Sequence, residues 1–261
     1  MPGEPLRVPP MRQSALITAL LFAATGLAAV PADAQIISIP FGGPKKIKPS
    51  PNRDLLGSPA AIAAAVVGPG RPAAMVRLDA VRQPAAVLQN LDLRLGGRVL
   101  VVEADPGYYA EIVGAAVEPG GRVTLALPPG TMADAAKRKV LIDLVGRVPN
   151  VTLLTTSPPA RFAVAAFDFV LLHRSPAVGD ATLFARTLFA AVRPGGSVGV
   201  VGGGGDGGGV GDGGTPDRVA GLVRAGFFVD TQSRIVPPPA DDAGVAGDAP
   251  DRVVVRLVKP E

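Results

Sequence analysis

The sequence predicts an α/β domain: a parallel sheet with helices on both faces, entered through a helical lead-in. Three observations carry that expectation. From residue 98 onward, short runs rich in Val and Leu alternate with longer stretches of helical character. The first of them, over 98–103, is a continuous apolar run between Arg98 and Glu103 rather than apolar at every second residue, as suits a strand buried on both faces. Strand alternating with helix builds βαβ units around one parallel sheet.

The elements follow in order. Residues 59–67 and 72–91 read as helical. Pro84 opens a new helix inside the second stretch, because proline is accepted in a first turn and not in a helix interior. Residues 98–103 (RVLVVE) form the first strand, 107–117 a helix, and 122–127 the second strand. A longer helix occupies 131–147, with Thr131 near its start. Strands at 151–155 and 167–172 follow, then a helix at 178–192 and a strand at 197–201. A helix at 215–225 has Thr215 as its expected cap and Pro216 in its first position. Strands at 227–236 and 252–258 close the chain.

Composition narrows the chemistry. Of 261 residues, 48% are hydrophobic and 18% charged, so the chain can bury a sizeable core. Aromatic residues are scarce at 4% and Trp is absent, so Val, Leu, Ile and Ala must build that core. There is no Cys, which excludes disulfides, thiolate nucleophiles and Cys-based zinc sites. With a single histidine, His173, a His-based metal cluster is excluded as well. No metal site is expected. The net charge of +4 is a mild excess without a dense basic face, so nucleic acid is not an expected partner.

The N-terminal region reads as an export signal. Arg12 precedes an apolar run over residues 15–30, broken by Pro31 and followed by Ala32-Asp33-Ala34. A short positive region, an apolar stretch and a small-x-small site make a secretory signal. The run is shorter than the roughly 20 residues that span a bilayer. Residues 1–34 are therefore expected to be removed, with no stable membrane span afterwards and the periplasm as destination. Met11, directly before Arg12, is an alternative start. An uncleaved membrane anchor is the competing reading. Residues 35–58, rich in Pro and Gly, form an expected flexible leader. Residues 59–96 form the helical lead-in, and 97–261 the main domain.

Four segments together resemble class I S-adenosylmethionine (SAM)-dependent methyltransferases. They are 97–109 (GRVLVVEADPGYY), 117–123 (VEPGGRV), 167–172 (FDFVLL) and 192–197 (VRPGGS). The chain looks most like a bacterial subgroup of predicted methyltransferases made with signal peptides. Arg71-Pro72, Arg77, Arg82-Gln83-Pro84, Ala225-Gly226-Phe227 and Asp251-Arg252-Val253 resemble further parts of that subgroup. The resemblance covers roughly residues 70–258. It implies a Rossmann-like sheet of seven strands with the last strand antiparallel, SAM as cofactor, and a small-molecule substrate that the sequence does not name. In such sheets ligands sit at the carboxyl ends of the strands.

The resemblance implies a cofactor site at the end of the first strand. Glu103 matches the acidic position there and Gly107 one glycine of the turn. The remaining glycines are missing, and Asp105, Pro106 and Tyr108 fill a shortened turn. The second strand ends in Ala126-Leu127-Pro128, where the family places a carboxylate for the ribose hydroxyls. A hydrogen bond to a charged acceptor contributes about 1.5–3 kcal/mol. Its loss would weaken SAM binding by roughly one to two orders of magnitude. Glu103, Asp105, Gly107 and Tyr108 are the candidate cofactor residues. Glu103 has a second reading as a helix or loop cap. His173, after the fourth strand, is the candidate general base, since histidine titrates near neutral pH; its second reading is a structural histidine. Arg174 and Ser175 could face an anionic substrate. Asp168 is expected to fix the start of a strand. The Gly202 to Gly214 segment lacks the Gly-Lys-Ser/Thr ending of a phosphate loop and reads as a loop over the sheet edge. Three functions remain open: an exported SAM-dependent methyltransferase, a non-catalytic binding protein on the same scaffold, and an unrelated nucleotide-binding domain, against which the missing Gly-x-Gly-x-x-Gly argues.

Overall fold

Strand β2 (Arg98–Glu103) is the centre of the sheet, and its burial shows why an unbroken apolar run was needed. Val99 and Val101 enter one core cluster; Leu100 and Val102 enter the other. Strands β3 (Arg122–Leu127) and β5 (Phe167–His173) divide between two faces in the same way, while β4 (Val151–Thr155) places Val151 and Leu153 in the first cluster only. These features come from a computed structural model that describes residues 35–36, 58–103, 107–155, 162–173, 180–203, 214–235 and 252–261. All of them lie within the compact unit formed by residues 32–261.

Strand β6 (Val192–Gly203) lies beyond β5, followed by β8 (Arg252–Val258) and then β7 (Phe228–Ile235) at the edge. The pairs β2–β3, β3–β4, β2–β5 and β5–β6 are parallel. Strand β8 is antiparallel to both β6 and β7. The seven expected strands are thus present, the last one antiparallel. A two-residue strand β1 (Gln35–Ile36), not expected in the leader, adds to the outer side of β4 as an eighth.

One face carries α1 (Ser58–Val66), α4 (Pro84–Asn90), α5 (Tyr108–Ala116) and α6 (Ala135–Arg147). The other carries α7 (Ala181–Ala191) and α8 (Thr215–Ala225). The expected helix over 72–91 is three short ones, α2 (Ala73–Val76), α3 (Asp79–Arg82) and α4, with Pro84 at the first turn of α4. The break before Pro84 has a cause. Proline disfavours the right-handed helical region for the residue before it, and Gln83 leaves that region, at φ +43.

The starts of α6 and α8 differ from expectation. Asp134 caps α6, accepting from the backbone N–H groups of Ala136 at 2.9 Å and Lys137 at 3.1 Å. Thr131 instead opens a 3-10 turn (Thr131–Ala133). Thr215 is already helical, and Gly214 precedes it without a side-chain cap.

At the amino edge of the sheet, Asp168 fixes the strand starts. It accepts from the Arg98 backbone N–H at 2.6 Å and from the Arg193 guanidinium. Burial raises its pKa, but the hydrogen bonds from Arg98 and Arg193 outweigh that and hold it below the usual carboxylate range. Here the Arg-Pro-Gly-Gly turn finds its physical reason. A Cβ on Gly196 would stand 2.8 Å from Val192 and 2.9 Å from the Asp168 carbonyl oxygen. Among the described residues, no helix is long and apolar enough to cross a membrane.

Candidate functional site at the strand crossover

The chain leaves β2 outward through β3 and β4, then returns to place β5 on the other side of β2. That reversal is the topological switch point, and open α/β sheets bind ligands at its carboxyl side. Glu103 ends β2 and His173 ends β5, directly opposite each other in register. Their side chains approach to 3.9 Å, His173 Nδ1 to Glu103 Oε2. The topology has therefore brought together two of the candidate residues, 70 positions apart.

Both are turned inward. Glu103 is 1% exposed and His173 is fully buried. The Glu103 carboxylate accepts from the Tyr109 N–H at 3.1 Å and the Ala110 N–H at 3.3 Å. These belong to the first turn of α5, whose amides have no partner within the helix. A carboxylate there also meets the positive end of the helix dipole. Of the two readings of Glu103, the cap is the one built into the geometry. The His173 ring packs edge-on against Tyr109, with centroids 4.7 Å apart.

Gly107 takes φ +89 just before α5, a conformation that strains any residue with a Cβ. The turn also packs closely. A Cβ at Gly107 would stand 2.4 Å from Leu144 Cδ2 of α6. The glycine thus lets α5 and α6 approach each other.

Tyr108 is fully buried and points toward the lead-in. Its hydroxyl donates to Asp79 at 2.7 Å, and the Arg82 guanidinium lies 4.4 Å from its ring centroid. Asp79 also receives Arg71 in a two-pronged pair of 2.6 and 2.9 Å. Burial first, and then the bond to Asp79, push the Tyr108 pKa far above its ordinary value. The sequence reading missed Arg71, Asp79 and Arg82 as a cluster. The available signal was the close spacing of Arg71, Asp79 and Arg82 between apolar stretches of the lead-in.

The remaining candidates separate. Asp105 with Pro106, and Arg174 with Ser175, lie outside the described residues, as does 204–213 of the glycine-rich segment. Leu127, at the place of the ribose carboxylate, is 2% exposed and part of the core. Among the described residues, no group of His, Asp and Glu is placed to hold a metal.

No protein-family model matches the sequence, and no curated protein matches it. Solved structures do match the fold. A SAM-dependent methyltransferase from Aquifex aeolicus superposes with a TM-score of 0.50 at 16% identity, over 77% of this chain and 97% of its own. A SAM-dependent methyltransferase from Mesorhizobium loti gives 0.50 at 15%, over 70% and 100%. The chain has a methyltransferase fold. The cyclase SpnF shares it, with a TM-score of 0.51 at 16% identity over 68% and 82%. The fold therefore locates a ligand site without naming the reaction.

Within this methyltransferase fold the fit of SAM can be tested on the residues present. A buried carboxylate stands at the switch point, but both its oxygens are engaged by α5. No carboxylate stands at the end of β3 for a ribose. The described side chains alone do not fit the cofactor. They build the turn that would face it.

Proposed function

We propose that this chain is a SAM-dependent methyltransferase-like protein acting on a small molecule, exported to the periplasm, with its ligand site at the β2/β5 crossover. One observation carries the reading: Glu103 and His173 face each other across the switch point, beside a left-handed turn that opens α5. The solved neighbours named as SAM-dependent methyltransferases support the choice of ligand, and the apolar N-terminal run supports export. SAM supplies an activated methyl group when bound. The chain's own described residues position the site. Glu103 clamps the first turn of α5, and His173 and Tyr109 pack beside that clamp. A general base must come within about 2.6–3.2 Å of its proton. His173, fully buried, is a positioning group in this arrangement.

A second reading, a non-catalytic binding protein, is favoured by the inward commitment of Glu103, Gly107 and Tyr108. Calorimetric titration of the purified chain with SAM and with S-adenosylhomocysteine separates the two. Saturable binding of both nucleosides supports the first reading. Absence of binding at millimolar ligand, by a chain shown to be folded, leaves the second.

A further inference from the structure

We propose that Gln35 is a modification site: as the first residue of the processed chain, it closes to a pyroglutamyl lactam that protects strand β1 at the edge of the sheet. The proposal rests on the export reading above, in which residues 1–34 are removed. Three observations meet at this residue. Gln35 directly follows the small-x-small site Ala32-Asp33-Ala34. The compact unit that holds the sheet begins at Ala32, within that same site. Strand β1 consists of Gln35 and Ile36 alone, paired antiparallel with β4 through Thr155 and Leu154. Processing at that site makes the first residue of the chain also the first residue of a strand.

Strand direction fixes where the new terminus stands. Because β1 runs against β4, Gln35 lies opposite Thr155, the last residue of β4. Thr155 pairs in turn with Leu127, the last residue of β3. The terminus is therefore at the carboxyl edge of the sheet, the edge at which Glu103 and His173 end their strands. A two-residue strand has no length to spare. Loss of Gln35 to an aminopeptidase would halve it, and loss of Ile36 as well would strip the backbone of Leu154 and Thr155 of its outer partner.

A glutamine in first position carries its own protection. The α-amine titrates at about 7.7–8.0, so a fraction of it is the free base at neutral pH. Its nitrogen attacks the side-chain amide carbon Cδ of the same residue. The N–Cδ bond forms, the Cδ–Nε2 bond breaks, and Nε2 leaves with the displaced proton as ammonia. Nothing is oxidised or reduced. The lactam has neither a positive charge nor a free amine, so the terminal charge is removed and an aminopeptidase has no amine to bind.

The full chain, expressed in a bacterial host and purified from the periplasmic fraction, tests this by intact mass and by mass spectrometry of its N-terminal peptide. The chain is expected to begin at Gln35, to be lighter by one ammonia than its sequence requires, and to resist stepwise N-terminal degradation until a pyroglutamyl peptidase removes the first residue. Gln35→Ala cannot form the lactam and should keep a free amine. Under an aminopeptidase the parent should stay whole, while Gln35→Ala loses its first two residues and its amide exchange at Leu154 and Thr155 quickens. A chain that begins at Gln35 with a free amine, before and after incubation at neutral pH, overturns the proposal and leaves the export reading standing. So does a chain cut at another position. A chain that keeps residues 1–34 overturns the export reading as well. Equal trimming of the parent and Gln35→Ala overturns the protective role.

Discussion

Replacing Gly107 by Ala tests how α5 is seated. The new methyl faces two penalties. A residue with a Cβ in the left-handed region costs about 1–2 kcal/mol, and Gly107 sits at φ +89. The methyl would also stand 2.4 Å from Leu144 Cδ2, with Leu125 Cδ2 at 3.8 Å closing the space beyond. Overpacking of that kind costs about 1–3 kcal/mol. The sum is about 2–5 kcal/mol, or a fall in melting temperature of about 4–20 °C at roughly 2–4 °C per kcal/mol for a domain of this size. Urea unfolding and thermal melting both read it. Leu144→Ala alone opens a cavity costing about 2–5 kcal/mol. Combined with Gly107→Ala it should cost less than the sum, since the added methyl enters the space vacated. A loss below about 0.5 kcal/mol for Gly107→Ala, within the range of ordinary surface substitutions, would refute the packing argument. So would strict additivity in the double variant.

Three further outcomes are expected. Glu103→Gln keeps the volume but turns an amide toward the α5 amides, and should lower stability by about 1–3 kcal/mol in urea unfolding, with faster hydrogen exchange at Tyr109 and Ala110. Tyr108→Phe removes a bond to a carboxylate that keeps its Arg71 partner, and should cost about 1–2 kcal/mol in the same measurement. Asp168 has a depressed pKa in the folded chain, so its contribution is present above the unfolded carboxylate value and disappears as pH falls through the folded one. Asp168→Asn should therefore lower the urea midpoint at pH 7, and its midpoint should converge with that of the parent as the pH falls below the carboxylate range.

The fold was legible because its signals are local. The stretches 99–102, 125–127 and 169–172 are apolar at consecutive positions, as suits strands buried on two faces. Helix starts were less legible. Thr131, expected near the start of the 131–147 helix, lies in a 3-10 turn before it, and Asp134 caps α6 because its carboxylate reaches two amides. The candidate site was legible as a place more than as a set of contacts. Glu103 and His173 fall where strand ends belong, and the sheet brings them face to face. What each does there depends on long-range packing. Gly107 looked like a nucleoside turn because glycine is wanted wherever a backbone is approached closely. The group that approaches it is Leu144, from a helix 37 residues away. Tyr108 is expected in the shortened turn beside the cofactor, yet its hydroxyl donates to Asp79 and its ring meets Arg82, both of the lead-in.

The ligand site at the crossover is tested most directly by nuclear magnetic resonance of the isotope-labelled chain during addition of S-adenosylhomocysteine. The account predicts that the amide signals of Val102, Glu103, Gly107 and Ala110, together with Leu172 and His173, shift progressively and saturate. Signals at Asp168 and Arg193, on the opposite edge of the sheet, should stay in place. Silence at the crossover at millimolar ligand, or shifts confined to the Asp168 edge, would contradict it.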